Sequence, residues 1–445
     1  MDDLTRRLLE APPTALLMTM ATPNAVAFLI QSAVSMGEVW FVGRLGTEAL
    51  AGIALVFPLL MLMQMMSGGA FGGAVAAAVA RALGAGDRER ADRLLWHVLV
   101  LALGGALVFA LAFWMFGRAF LSFLGGEGEV LRAASRYGWV LCGGGLSIWL
   151  MGMISAVYRG TGNMRFPALL LIASAVIQVP LSGVLVLGAF GAPQLGIVGA
   201  AVSAVTSASI LCVIMILRLT GASQSVRLRR DALHFSRDLF ADVLRVAAPA
   251  AVSPLLTVAT IVALTAIIAR FGTAALAGYG IGARIELLLV PLVFGLGAAM
   301  TSLVGVATGA GCMERAERIG WTGGAMAAVL AGGVGLALAL FPNPWIEVFS
   351  DDAATAAAAT SYIRILGPVY ALQGLGLSLY FASQGAGAMF WPLVATAVRA
   401  AAAVGGALLL GTPFGLEGVY AAAAVAMALY GVIIAASVRL GAWRR

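Results

Sequence analysis

Gly46-Thr-Glu-Ala-Leu-Ala-Gly52 returns at an offset of 226 as Gly272-Thr-Ala-Ala-Leu-Ala-Gly278. Two further segments return in the same order, each at an offset of 225. Gly84-Ala-Gly-Asp-Arg-Glu-Arg-Ala91 becomes Gly309-Ala-Gly-Cys-Met-Glu-Arg-Ala316, and Arg159-Gly-Thr-Gly-Asn-Met-Arg-Phe-Pro167 becomes Gln384-Gly-Ala-Gly-Ala-Met-Phe-Trp-Pro392. Three collinear matches at one spacing identify a duplicated chain. What is duplicated follows from the residues around them.

The repeated turns are separated by apolar runs near or above the ~20 residues that cross a bilayer as helix. The run 94–117 carries no Asp, Glu or Arg over its whole length. Twelve such spans are expected, at 14–40, 48–80, 94–117, 134–157, 166–190, 195–218, 244–269, 275–307, 319–341, 357–382, 390–411 and 415–438. The Leu/Ala/Val/Ile runs lack the period-2 alternation of a barrel strand, so helix is the remaining way to satisfy the backbone in lipid. With 62% hydrophobic and 11% charged residues, against roughly 45–50% and 25% in soluble domains, no soluble core of this length absorbs the excess. The expected fold is an all-α polytopic membrane protein, with twelve transmembrane helices in two six-helix pseudo-symmetric bundles. The N-terminal lobe is placed at 1–218, a cytoplasmic linker at 219–243 and the C-terminal lobe at 244–445. The first apolar stretch is too long for a secretory signal and is read as a retained span. Six spans per copy keep both copies in one orientation, which suits rocking about a midplane cavity.

All 27 basic residues are arginine. Without lysine there is no Walker A phosphate loop and no Schiff-base chemistry, so ATP is excluded by that route. The net charge of +7 points to topology, not nucleic acid, because the arginines are scattered between spans. Nineteen lie in the tails and the loops after even-numbered spans, including Arg159, Arg165 and Arg445; six (44, 118, 132, 136, 270 and 364) lie on the other side. That asymmetry places both termini in the cytoplasm and the protein in the inner (plasma) membrane. Six arginines in 218–245 mark the linker between halves. Cys142, Cys212 and Cys312 form no metal or redox spacing and are read as small apolar residues. His97 and His234, near cytoplasmic span ends without a second ligand close by, are read as solvated and not as metal sites.

Four charges fall inside the spans: Glu38, Arg284, Glu286 and Arg399. An ionisable residue there costs several kcal/mol, about 2.5–3.5 by insertion scales, and is a functional candidate by default. Glu38 ends span one after Gln31 and Ser35, where a carboxyl can take up and release a proton; simple solvation at a span end is the alternative. Glu286 and Arg284 are two apart and point to different faces. Arg399 has no acid nearby in sequence, so a bridge to Glu286 across the second lobe is expected, and Gln373 joins this polar network. Met61, Met63, Met65 and Met66 crowd span two around Gln64. Methionine recurs at promiscuous binding surfaces, making Met61, Gln64 and Met65 substrate-cavity candidates against ordinary packing. Gly68, Gly69, Gly72 and Gly73 provide close helix contacts or a bend.

Phe41-Val-Gly-Arg-Leu-Gly46, Gly84-Ala-Gly86, Ala283-Arg-Ile-Glu286 and the glycine turns 160–162 and 385–387 before Pro167 and Pro392 resemble the multidrug and toxin extrusion (MATE) transporters, in the superfamily that includes lipid-linked oligosaccharide flippases. The resemblance spans essentially the whole chain. It implies secondary export of amphipathic, often cationic, organic compounds in exchange for protons or sodium ions. The family commonly carries an aspartate where this chain has Glu38, and Gln31 matches a residue seen there. Elsewhere the chain departs: Ala175 and Val179 stand where many members have an asparagine and an aspartate before Pro180, and Thr257 and Gln373 stand where others have acids. A hard cation wants several oxygen ligands, whereas one carboxyl suffices for a proton. Proton exchange is therefore favoured over sodium, with no cofactor, no ATP and no nucleic acid, and with small organic substrates, the lipid bilayer and a monomeric state as the expected setting.

Two other classes compete. A flippase for a lipid-linked head group wants several cavity arginines to meet phosphate, and only Arg284 and Arg399 qualify. An intramembrane hydrolase wants an embedded histidine or a carboxylate–histidine cluster, and neither histidine is placed for one.

Overall fold

Lipid offers the backbone no hydrogen-bond partner, so each apolar run must close its own N–H···O=C ladder. The computed structural model describes residues 3–221 and 224–444, and its regular elements are all helical. Arg445, counted among the cytoplasmic-side arginines, lies outside the described residues, as do Met1 and Asp2 of the N-terminal lobe and Ala222 and Ser223 of the linker. A short helix, Asp3–Glu10, precedes the first span.

Ten helices among the described residues are long and apolar enough to cross a membrane: Pro13–Gly43, Thr47–Gly84, Arg88–Phe123, Arg165–Leu187, Ile197–Leu219, Arg237–Ala269, Thr273–Gly309, Met313–Leu340, Ala353–Ala386 and Phe390–Arg439. Gly128–Gly143 and Gly145–Gly160, bent by 49°, act together as an eleventh span. The last helix has 50 residues; at 1.5 Å per residue that is ~75 Å, more than twice the ~30 Å hydrocarbon core. It breaks at Gly415, whose φ of 61° and ψ of −143° are not helical. Its two arms bring the spans to the expected twelve, numbered one to twelve in chain order below.

The duplication is written into the backbone. Gly46 (φ 110°) and Gly272 (φ 104°) open spans two and eight in the same conformation, with ψ of 174° and 172°. Gly196 (φ 57°, ψ −137°) opens span six as Gly415 opens span twelve. A side chain is strained at such φ/ψ values, which explains glycine at these turns. Asp87 and Cys312, matched by the repeat, both stand as N-caps near φ −90°, but only Asp87 accepts a hydrogen bond, from the Arg90 amide.

Proline also repeats, at Pro23 in span one and Pro249 in span seven. By packing, the chain forms two units: Val26–Ala247, and Met1–Ala25 with Ala248–Arg445. Both unit boundaries thus fall inside a span, two residues from its proline. Within the first unit, spans two and four meet where a Cβ on Gly152 would lie 3.2 Å from the Gly68 amide. Within the second, Gly335 and Gly367 face each other closely, a Cβ on either falling inside contact distance of the other's carbonyl. Close backbone approach of this kind supplies the dispersion contact that holds helices together in lipid.

Candidate functional site

Span one meets span five over three successive contacts, all within the unit Val26–Ala247. Gly37 lies against Val179, with 3.8 Å left for a Cβ. One residue on, Glu38 Oε1 accepts a hydrogen bond from Gln178 Nε2 at 2.8 Å. One turn further, Phe41 packs on Gly183, where a Cβ would come within 2.9 Å of the ring. The glycines bring the two helices together, and the acid and amide pair in the contact. Gln178 is 8% exposed. Its helix face continues through Ser174, hydrogen-bonded to Ser207 at 2.8 Å, and Ser182, whose buried hydroxyl has no hydrogen-bond partner. The Tyr137 phenol on span four is buried within electrostatic reach of Glu38.

This arrangement corrects part of the sequence reading. Ala175 and Val179 were the span-five positions of interest, yet the polar partner of Glu38 is Gln178. Spacing of 174, 178 and 182 at one-turn intervals on an apolar helix was the available signal. No side-chain hydrogen bond joins Gln31 to Glu38 among the described residues; seven residues of helix separate them by ~10 Å. The Gln31 backbone carbonyl accepts from the Ser35 hydroxyl at 3.3 Å.

In span two the methionines separate. Met63 is core, Met61 and Met65 are half-buried, and Gln64 is exposed. From Met65 to Phe71 the helix widens into a π-helix that contains Gly68 and Gly69, and Gly72 and Gly73 open the α-helix that follows, in place of a sharp bend. The Gly68 carbonyl accepts a hydrogen bond from Arg159 at 3.3 Å. Arg159, assigned above to a loop, is 7% exposed and belongs to the buried end of span four. Its guanidinium is thereby a buried charge that the sequence reading had left outside the spans.

His97 is likewise not solvated: it is 0% exposed, while His234 is exposed. The linker folds back over it. His97 Nε2 accepts from the Ser236 amide at 3.0 Å, so Nδ1 carries the hydrogen donated to the Arg93 carbonyl at 2.9 Å. Asp92 accepts from the Arg227 amide at 2.7 Å, and Arg81 and Arg90 both reach Asp242, at 2.8 and 3.1 Å. In the exposed part of the linker, a hydrogen bond from Arg229 holds the Asp231 carboxyl below its usual range.

The second polar group lies within the other unit. Glu286 Oε1 accepts from the Tyr362 hydroxyl at 2.7 Å. The expected Glu286–Arg399 bridge is not formed: Arg399 donates to Thr257 Oγ1 at 2.9 Å and lies 5.0 Å over the Tyr430 ring. Each charge is met by a neutral partner on a neighbouring helix. Arg284 is exposed, 4.5 Å over the Phe349 ring, and stands outside the network. Gln373 is half-buried with its Oε1 unpartnered.

A model of the MatE family matches residues 23–184 and 249–408, which together cover more than half of the chain and repeat the duplication read from the turns. The chain belongs to the MatE family. It is therefore a multi-pass membrane transporter and not an enzyme. Among MatE relatives it is similar to the probable multidrug resistance protein NorM of Thermotoga maritima, 26% identical over 85% of this chain and 82% of that protein. It is similar to the FAD transporter of Shewanella oneidensis, 26% identical over 84% and 82%. Its fold matches a multidrug resistance MATE transporter solved in an outward-facing conformation (TM-score 0.89, 23% identity, 98% of each chain). It also matches a MOP superfamily transporter of Pyrococcus furiosus whose binding pocket is described as of reverse polarity (0.90, 22%, 99% of this chain and 98% of that one).

Proposed function

We propose that this MatE protein is a secondary active efflux antiporter that exports amphipathic, cationic organic compounds by alternating access, in exchange for protons taken up at Glu38. One observation carries the reading: a carboxyl inside a span, paired with a neutral amide and not with an arginine. A fixed structural charge would be expected to have a counter-ion, since an unpaired charge away from water is costly. A carboxyl that alternates between charged and neutral is served by Gln178, which donates through its nitrogen or accepts through its oxygen. The substrate class draws support from relatives named as multidrug resistance proteins. Half-buried Met61 and Met65, with exposed Gln64 immediately before the π-helix, are the proposed cavity lining on span two. Protonation and release form and break one O–H bond on Glu38 and need no cofactor or ATP. The arginine asymmetry supports both termini on the cytoplasmic side of the inner membrane, and the protein is proposed to act as a monomer.

The test is transport in proteoliposomes with an organic cation and with FAD as separate substrates, for wild type and Glu38→Gln. The reading expects cation export driven by a proton gradient and lost in Glu38→Gln. FAD export without cation export would instead assign the substrate class named for the Shewanella relative. Transport of a lipid-linked head group alone would favour a flippase.

A further inference from the structure

Glu286 sits within a group of polar atoms that hydrogen bonds inside the protein do not fully use. Its carboxylate holds Tyr362, and the Tyr362 ring is in edge contact with Tyr420 (5.2 Å between centroids) and Tyr279 (5.7 Å). Tyr370 lies within electrostatic reach of the same carboxylate. The Tyr420 hydroxyl and the Gln373 amide oxygen, three residues beyond Tyr370 on the same helix, are buried without a hydrogen-bond partner. Tyr370 is 2% exposed and Tyr420 1%. Leaving buried polar groups unpaired is costly, so an acid among buried tyrosines with polar atoms to spare points to a ligand of its own.

We propose that Glu286 is a second proton-binding site, so that the antiporter takes up two protons for each compound it expels. The proposal rests on the proton-coupled reading of Glu38 and adds a site in the other unit. Uptake forms one O–H bond on the Glu286 carboxyl and removes one negative charge; release reverses both. A protonated carboxyl is a donor as well as an acceptor, so it can keep Tyr362 and offer a hydrogen to a further oxygen of this polar group. A metal cation is the weaker occupant, because one carboxylate and neutral oxygens provide little charge for a hard ion.

The charged and titratable surroundings fit a proton. On span eight itself are Tyr279 and Arg284, the latter drawn to Phe349. Span ten contributes Tyr362, Tyr370 and Arg364. Span eleven contributes Arg399, within electrostatic reach but bound to Thr257. Span twelve contributes Tyr420, Tyr430 and Glu417, the last accepting from Ser361 at 3.2 Å. Span nine packs on span eight but keeps its charges, Glu314 to Arg318, at the opposite end. Nothing among these fixes Glu286 as a permanent carboxylate by an ion pair.

Two measurements test this. Infrared difference spectra of purified protein, stepped from mildly alkaline to mildly acidic pH without sodium, should show two components in the carbonyl band of protonated carboxylic acids. Glu286→Gln should lose one and Glu38→Gln the other. Tyr362→Phe, which keeps the acid, should retain the Glu286 component at a shifted frequency because its donor is gone. A wild-type spectrum from Glu286→Gln, or a Glu286 component unmoved in Tyr362→Phe, overturns the proposal. Loss of the Glu286 component on adding sodium at fixed pH overturns it too, by assigning the site to a metal cation. Absence of the Glu38 component alone would instead count against the reading of Glu38. In proteoliposomes clamped at zero membrane potential, one pH unit should sustain about a 100-fold substrate gradient in wild type and about 10-fold in Glu286→Gln. A wild-type gradient of about 10-fold means one proton and contradicts the proposal.

Discussion

Under the proposed function, Gln178 serves Glu38 as a carboxylate or an arginine could not, because an amide can satisfy an acid in either charge state. Gln178→Leu removes that donor, a hydrogen bond to a charged group worth about 1.5–3 kcal/mol. Proton-driven export should fall by about tenfold, while the folded protein survives detergent purification; unchanged export would show that the pair does not take part. Gly183→Ala tests the neighbouring contact. A Cβ there meets Phe41 at 2.9 Å, and overpacking of this sort costs about 1–3 kcal/mol. Transport should drop and thermal stability with it, and Gly183→Ala combined with Phe41→Leu should recover part of both. At this scale the sequence was only half legible. Glu38 stood out because acids are rare in apolar spans. Gln178 did not, because one amide in an apolar helix gains its meaning only from the residue packed against it on another helix. The burial of Arg159 and His97 was hidden for another reason. Both lie at span ends, and whether a span end meets water depends on what folds over it, here the π-helix for Arg159 and the linker for His97.

The elements repeat more faithfully than the residues do. Asp87 and Cys312 cap equivalent helices with similar backbone angles, but Cys312 offers no oxygen to the free amides. Cys312→Asp should therefore add an N-cap and raise stability by about 1 kcal/mol, read as an upward shift of the unfolding midpoint in detergent. No shift would show that the amides at the start of span nine are already satisfied by solvent. Gly415→Ala should act in the opposite direction. With φ of 61° and ψ of −143°, a side chain there costs about 1–3 kcal/mol, and the lost stability should exceed that of an alanine at the open, ordinary-φ position Gly405. Element positions were legible because twenty-residue apolar runs leave one solution in lipid. The bend at Gly144 and the π-helix at Met65–Phe71 were not. Apolar patterning marks where a helix runs, and says little about where its hydrogen-bond ladder shifts or turns.

Across the whole molecule, duplication is the strongest fact, stated three times over: by repeated turns, by paired positive-φ glycines and by a family model that matches twice. The chemistry does not follow it. Glu38 in span one and Glu286 in span eight are not repeat partners; at the repeat offsets of 225 and 226 beyond Glu38 the chain has Ala263 and Leu264, which carry no charge. Two similar halves thus present different ionisable groups, which suits a cycle in which proton and compound engage unequally. The most direct measurement is efflux of an organic cation from proteoliposomes under proton and sodium gradients imposed separately, for wild type, Glu38→Gln and Glu38→Asp. The account predicts export driven by the proton gradient alone, abolished in Glu38→Gln and partly kept in Glu38→Asp. Undiminished proton-driven export from Glu38→Gln, or full activity from a sodium gradient with no proton gradient, would contradict it.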